Sequence, residues 1–138
     1  MPLHYSVNAR SFCKETHSLY GQSPYSASKI AADQIALSFY NSFNLPLITL
    51  RPFNTFGPRQ SERAIIPTII NQIISSKDKF LKLGSLSPTR DFNYVEDICS
   101  GYELALKANN IFGETINLGS GYETSIKDMV FLISMLMQ

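Results

Sequence analysis

Tyr25 and Lys29 stand four residues apart in the segment Tyr25-Ser26-Ala27-Ser28-Lys29. On a helix that spacing puts both side chains on one face, one turn apart. An ammonium near a phenol favours the phenolate, and so lowers a hydroxyl pKa that is otherwise about 10. A tyrosine tuned in this way takes and returns a proton near neutral pH, which makes the pair a candidate proton-transfer device. The competing reading is a surface tyrosine beside a solvated lysine. Of the 7 tyrosines, Tyr25 alone has a lysine four residues on, so the pair is not one of many chance spacings.

A second set of residues suits phosphate. The loop Arg51-Pro52-Phe53-Asn54-Thr55-Phe56-Gly57-Pro58-Arg59-Gln60 follows a short apolar run at 47–50. In open α/β sheets ligands bind beyond the carboxyl ends of such strands. Arg51 and Arg59 carry guanidinium forks that match phosphate geometry, and Arg90, ahead of residues 92–95, is a further candidate. For Arg51 and Arg59 the alternative is an ordinary ion pair. His17 reads as a loop histidine, and Asp33, Asp97 and Asp128 as helix-surface or first-turn carboxylates. The chain has no HExxH, no paired-cysteine motif and no Ser/His/Asp arrangement, so hydrolase and metal chemistry fall away.

The elements that must position these residues are marked in the sequence. Ser23 suits an N-cap and Pro24 a first helical position, so a helix is predicted over Pro24–Phe43, ended by Asn44 and Pro46. Ala27, Ala31, Ile35 and Phe39 form one apolar row, and Ala32, Ala36, Tyr40 and Phe43 another. Two rows imply burial on two sides, against a sheet and against a partner subunit. Residues 47–50, bounded by prolines, read as a buried parallel strand. A helix is predicted over 65–76, a strand over 80–83 and a turn-rich loop over 84–89. Glu96 and Asp97 open a helix that runs to about Asn109, with Ile98, Tyr102, Leu104, Ala105 and Ala108 as its apolar side. A strand follows at Thr115–Leu118, then Gly119-Ser120-Gly121, then a helix capped by Ser125 with Asp128 three residues on. Residues 1–20 read as loop. Helices alternating with short strands predict an α/β fold with parallel pairing.

Composition sets the outer bounds. A chain of 138 residues with 44% hydrophobic residues is long enough to bury a core. A net charge of +1, with no Lys/Arg stripe, argues against nucleic acid or an anionic membrane as the main partner. The apolar stretch at 129–137 is too short to span a bilayer. Cys13 and Cys99 have no metal-ligand spacing with His4 or His17 and read as reduced thiols of a cytoplasmic protein, with no signal-peptide pattern at the start.

With these residues in view, the chain resembles the NAD-dependent epimerase/dehydratase family, the extended short-chain dehydrogenase/reductases that act on nucleotide sugars. Four motifs in the family's order carry the resemblance: Ser23-Pro24-Tyr25-Ser26-Ala27-Ser28-Lys29, Arg51-Pro52-Phe53-Asn54-Thr55-Phe56-Gly57-Pro58-Arg59, Thr89-Arg90-Asp91-Phe92-Asn93-Tyr94-Val95-Glu96-Asp97, and Asn117-Leu118-Gly119-Ser120-Gly121. The match runs from about Glu15 to near the last residue. The pattern looks most like sugar-nucleotide 4,6-dehydratases, among them those acting on UDP-N-acetylglucosamine; 4-epimerases of the family share much of it. The resemblance implies a partial Rossmann-like parallel sheet with flanking helices, plus part of the small C-terminal substrate-binding region. Residues 1–60 would be the C-terminal part of the NAD domain, and 61–138 the mixed substrate-binding region. It implies that Tyr25 is the catalytic acid/base and Lys29 its partner, and that both, with the backbone at Pro52 and Phe53, meet NAD. Asn54, Arg63 and Arg90 would hold the nucleotide-diphosphate sugar, and the helix Pro24–Phe43 would form a homodimer interface.

The family's Gly-rich phosphate turn has no counterpart in the sequence: there is no GxxGxxG or GxGxxG, and Gly119-Ser120-Gly121 comes late and lacks a third glycine. The Ser/Thr that completes the family's triad, and the acidic pair that serves water elimination in the dehydratases, would align near Pro2-Leu3-His4, where neither is found. The expectation is therefore an interior-to-C-terminal piece of a sugar-nucleotide enzyme, inactive alone, aggregation-prone and weak in NAD binding. Two other classes stand beside it: a non-catalytic nucleotide-sugar-binding or dimerisation module, and a relic product without function.

Overall fold

The computed structural model describes residues 13–75 and 80–137. The expectations placed on residues 1–12, including the missing triad and acidic residues near His4, lie outside the described residues.

Helix α1 spans Pro24–Phe43, with the predicted bounds. At its start the Ser26 N–H donates to Ser23 Oγ at 3.2 Å, and the Ser23 N–H donates to Ser26 Oγ at 2.9 Å. This reciprocal capping box satisfies two backbone donors that the helix itself cannot pair. At the other end Asn44 takes the left-handed conformation, φ 52°, and its N–H reaches Tyr40 O.

Among the described residues, six short strands and three further helices follow: β1 (Thr49–Pro52), β2 (Asn54–Phe56), α2 (Ile65–Ser75), β3 (Thr89–Arg90), β4 (Phe92–Tyr94), α3 (Val95–Lys107), β5 (Thr115–Leu118), β6 (Thr124–Ser125) and α4 (Ile126–Leu136). β1 pairs in parallel with β5, from Thr49↔Thr115 to Pro52↔Leu118. β2 pairs in parallel with β4, from Asn54↔Phe92 to Phe56↔Tyr94. β3 and β6 form a two-residue antiparallel pair. The α/β class and the parallel pairing agree with the sequence reading; the antiparallel pair was not foreseen, because two residues carry no periodicity.

Ile69 is fully buried and forms the centre of the core with Met129 and Ile133. Ile66, Ile73, Leu81, Leu83 and Phe92 pack around them. The core thus lies where α2 meets α4.

Several boundaries differ from expectation. The first strand is Thr49–Pro52 rather than 47–50, since Thr49 is the first residue in register with β5. The presumed loop 51–60 contains β2. Residues 80–83 form no strand: Phe80 is exposed, and the Gln72 side chain holds Lys82 by accepting its N–H at 2.7 Å and donating to its carbonyl at 3.0 Å. A side-chain amide there supplies what a strand partner would have supplied. On α3, Ile98 and Ala105 are buried as predicted, but Leu104 is 68% exposed. On α1, the row Ala27, Ala31, Ile35 and Phe39 is exposed, and in the other row only Ala36 and Tyr40 are half-buried. The two-sided burial is not met within one chain, because α1 turns Ser26 and Asp33 inward instead.

Candidate active site

The site lies where the chain changes strand partners. Pro52 has no N–H to give, so the Phe53 N–H takes up the ladder, donating to Leu118 O at 2.9 Å. One residue later the Asn54 N–H donates to Asp91 O at 3.1 Å, and the chain has passed from the β5 ladder to that of β4. Two parallel pairs diverge there, which opens a crevice at strand ends.

A cavity of about 430 Å³ occupies that crevice, lined by Tyr25, Pro52, Phe53, Asn54, Thr55, Phe56, Gln60, Ala64, Ile65, Ile66 and Phe92. Tyr25, from the first turn of α1, therefore shares one cavity with Pro52, Phe53 and Asn54, residues that the sequence places far from it. Lys29 lies one turn along, its Nζ 5.7 Å from the Tyr25 ring centroid, within reach of a cation–π contact. Both side chains are exposed on one helix face, and Tyr25 keeps half its surface in solvent.

The arginines separate. Arg51 was a candidate phosphate ligand; its side chain is only 7% exposed and its Nε donates to Asp33 Oδ2 at 2.8 Å. It belongs to an ion pair that joins α1 to β1, and Asp33 is not the helix-surface carboxylate expected from its position. Arg59 is exposed in a left-handed turn, φ 64°, where the Gln60 side chain folds back to donate to Thr55 O at 2.8 Å. Arg63 is exposed and Arg90 half-buried, its Nη1 donating to Thr89 O at 2.7 Å. Neither is among the cavity's lining residues.

Three features of the site were missed by the sequence reading. Asp91 gathers four donors on its carboxylate: Ser120 N at 3.2 Å, Ser120 Oγ at 2.6 Å, Gly121 N at 2.9 Å and Asn93 Nδ2 at 3.0 Å. Gly119 lies against Phe53 and Asp91 so closely that a Cβ there would collide with the Phe53 ring. Glu15 accepts the Asn117 N–H at 2.9 Å, and this bond holds its carboxyl below the usual range. Asn117 in turn donates its side-chain amide to Cys13 O at 3.0 Å, so residues 13–15 are tied to β5. Burial pushes the Cys13 thiol up, with Glu123 adding to the effect. The signal for Asp91 was present in its motif, but spacing alone does not show which donors a carboxylate will meet.

Among the described residues no group of three or more His, Cys, Asp or Glu side chains is placed to hold a metal ion. No helix among them is long and apolar enough to cross a membrane.

Residues 5–137 match the sequence profile of the family described as GDP-mannose 4,6 dehydratase. The chain is 37% identical over 124 residues to a dTDP-D-glucose 4,6-dehydratase of Dictyostelium discoideum, a match that covers 90% of this chain and 28% of that protein. Among solved structures it is similar to a dTDP-glucose 4,6-dehydratase from Bacillus anthracis in complex with NAD, with a TM-score of 0.89 and 32% identity, covering 98% of this chain and 43% of that one. It is also similar to a UDP-N-acetylglucosamine 4-epimerase from Methanobrevibacter ruminantium in complex with UDP-N-acetylmuramic acid, with a TM-score of 0.84 and 30% identity over 94% of this chain and 42% of that one. The chain thus spans less than half the length of each of these relatives.

Proposed function

The chain belongs to the GDP-mannose 4,6 dehydratase family, among the NAD-dependent epimerase/dehydratase proteins, and from that premise we propose that its residues serve a nucleotide-sugar 4,6-dehydratase. The observation that carries this reading is that Tyr25, Pro52, Phe53 and Asn54 line one cavity, with Lys29 one helical turn from Tyr25. A proton-transfer residue is useful only where it shares space with the group it serves.

In this reading the nicotinamide end of NAD would lie along Pro52 and Phe53 beside Tyr25, residues whose chemistry fits it, and Lys29, one turn along α1, would hold the adjoining ribose. The residues present do not fit the pyrophosphate end, since the sequence has no Gly-rich turn. NAD, if held there, would supply the hydride acceptor for sugar C4 and, as NADH, the hydride donor once water has left. Tyr25 takes the proton from the C4 hydroxyl. Asn54 and Arg90 hold the substrate's diphosphate, with Arg63 assisting from the turn before α2. In this reading residues 1–60 belong to the cofactor domain and 61–138 to the substrate region. The exposed row Ile35, Phe39 and Phe43 on α1 supports a homodimer through that helix, in a cytoplasmic protein. The 138 residues by themselves hold NAD weakly and turn nothing over.

A 4-epimerase is the second reading, favoured by the similarity to the Methanobrevibacter epimerase. Calorimetric titration of the chain with UDP-, GDP- and dTDP-sugars tests both. Binding that is lost in Asn54→Ala and Arg90→Ala is expected; no heat from any sugar would leave only an interaction role. Turnover by the chain would overturn its proposed inactivity, and its product would then separate the reactions: a 4-keto-6-deoxy sugar marks the dehydratase, a C4-inverted sugar the epimerase. Tight NADH binding in a fluorescence titration would overturn the weak-cofactor proposal. Light scattering of wild type and Phe39→Asp tests the dimer, which the aspartate is expected to split.

A further inference from the structure

We infer that Asp91 is a positioning residue that sets Arg90 against Asn54, by fastening the turn at 119–122 to the strand between them. The inference rests on the diphosphate reading above and assigns a residue on which that reading is silent.

Asp91 interrupts the run from β3 to β4 and is bonded on every side. Its carbonyl accepts the Asn54 N–H, so the residue after the cavity-lining Phe53 is registered directly on Asp91. Its carboxylate takes both backbone N–H groups of Ser120 and Gly121, at 3.2 and 2.9 Å, with the Ser120 hydroxyl at 2.6 Å. The buried Asn93 amide adds a fourth donor at 3.0 Å. Asp91 is not among the residues that line the cavity, and its carboxylate is engaged by four donors from its own neighbourhood, so its function is to hold. What it holds is a corner. The 119–122 turn leaves β5, whose Leu118 accepts the Phe53 N–H, and enters β6, which pairs Thr124 with Arg90. Without the Asp91 carboxylate, Arg90 keeps its main-chain link to Asn54 through the Asp91 carbonyl and the β2–β4 pair, but its other flank is tied to the 119–122 turn by a two-residue antiparallel pair alone. With it, the path closes into a ring. Gly119 allows the closure, since Phe53 and the Asp91 carboxylate both occupy the space a side chain would need.

Two groups that grip two phosphates of one ligand must keep a fixed spacing, whereas a single phosphate tolerates a loose one. The readout is therefore the preference for diphosphate over monophosphate. The experiment is an NMR titration of the full chain with UDP, GDP and dTDP, followed by the monophosphate that matches the best-bound of the three. Asp91→Asn is expected to weaken the diphosphate about tenfold and the monophosphate by less than about twofold, while the Ser120 and Gly121 amides lose protection from hydrogen exchange. Ser120→Ala removes the 2.6 Å bond and leaves Asp91 in place, so it decides the matter if Asp91→Asn does not fold; about a threefold loss for the diphosphate alone is expected. Equal losses for both nucleotides, or an unchanged preference, would overturn the inference while leaving the diphosphate reading intact. Absence of shifts with all three diphosphates on the wild type would overturn both, and so identifies the failure as that of the underlying reading.

Discussion

Helix α1 and the α2/α4 pair are both rich in apolar residues, yet they are held in opposite ways. α2 and α4 close on Ile69, Met129 and Ile133, with aliphatic side chains and Phe92 packed around them. α1 buries little apolar surface, with Ile30, Leu37 and Tyr40 half-buried, and is fixed by two polar contacts, the Ser23–Ser26 box at its start and the Asp33–Arg51 ion pair at its middle, while Ile35, Phe39 and Phe43 stay in solvent. Packing stabilises by area and tolerates small shifts, whereas hydrogen bonds and ion pairs fix direction. The helix that carries Tyr25 is thus the one set by directional contacts, and its apolar surface is left available.

Replacing Ile69 should produce the largest effect. At concentrations where the chain is monomeric, Ile69→Ala is expected to cost about 3–4 kcal/mol in urea unfolding, whereas Ile35→Ala on α1 should stay within about 0.5 kcal/mol. Equal losses would break the comparison. Next comes the ion pair: Asp33→Ala leaves Arg51 in a nearly buried place without its carboxylate and is expected to cost about 2 kcal/mol, against less than about 0.5 for Arg90→Ala by the same measurement. Ser23→Ala should cost about 1 kcal/mol and reduce helicity by circular dichroism, since it leaves the Ser26 N–H without its cap.

The smallest effect sharpens the contrast at the polar end. The Asn117 N–H holds the Glu15 carboxyl below its ordinary value in the folded chain. A group whose folded pKa is depressed contributes stability above its unfolded pKa, about 4.3 for glutamate, and loses it as pH falls through the folded value. The Asn117 amide resonance should therefore titrate below the ordinary glutamate range, and Glu15→Gln should abolish that titration. Because Glu15 is solvent-exposed, the melting temperature should barely move.

Much of the fold was legible because its signals are local. Ser23, Pro24 and Asn44 mark the bounds of α1 by cap chemistry, and Thr115–Leu118 stands out as a short strand before a glycine turn. The segment at 80–83 misled because its alternating Leu81 and Leu83 face a core on one side, as a strand would, while the backbone is satisfied by Gln72. Two-residue β3 and β6 have no period to read, and only their distant pairing makes them strands. Near the cavity, the shared helix face of Tyr25 and Lys29 was legible from spacing. Arg51 was not, since nothing local distinguishes an arginine aimed at a ligand from one aimed at Asp33, 18 residues away.

By itself the sequence determined the α/β class, the bounds of α1, the Tyr25–Lys29 face and the family motifs, all of which depend on neighbours within a few positions along the chain. The tertiary structure alone decided that Tyr25 shares a cavity with Phe53 and Asn54, that Arg51 is sequestered by Asp33, and that Asp91 fastens the 119–122 turn. Those outcomes depend on which strand ends meet and which donors a carboxylate then finds. Both are fixed by contacts between residues far apart in the chain, where burial makes an unmet polar group costly and so selects one arrangement.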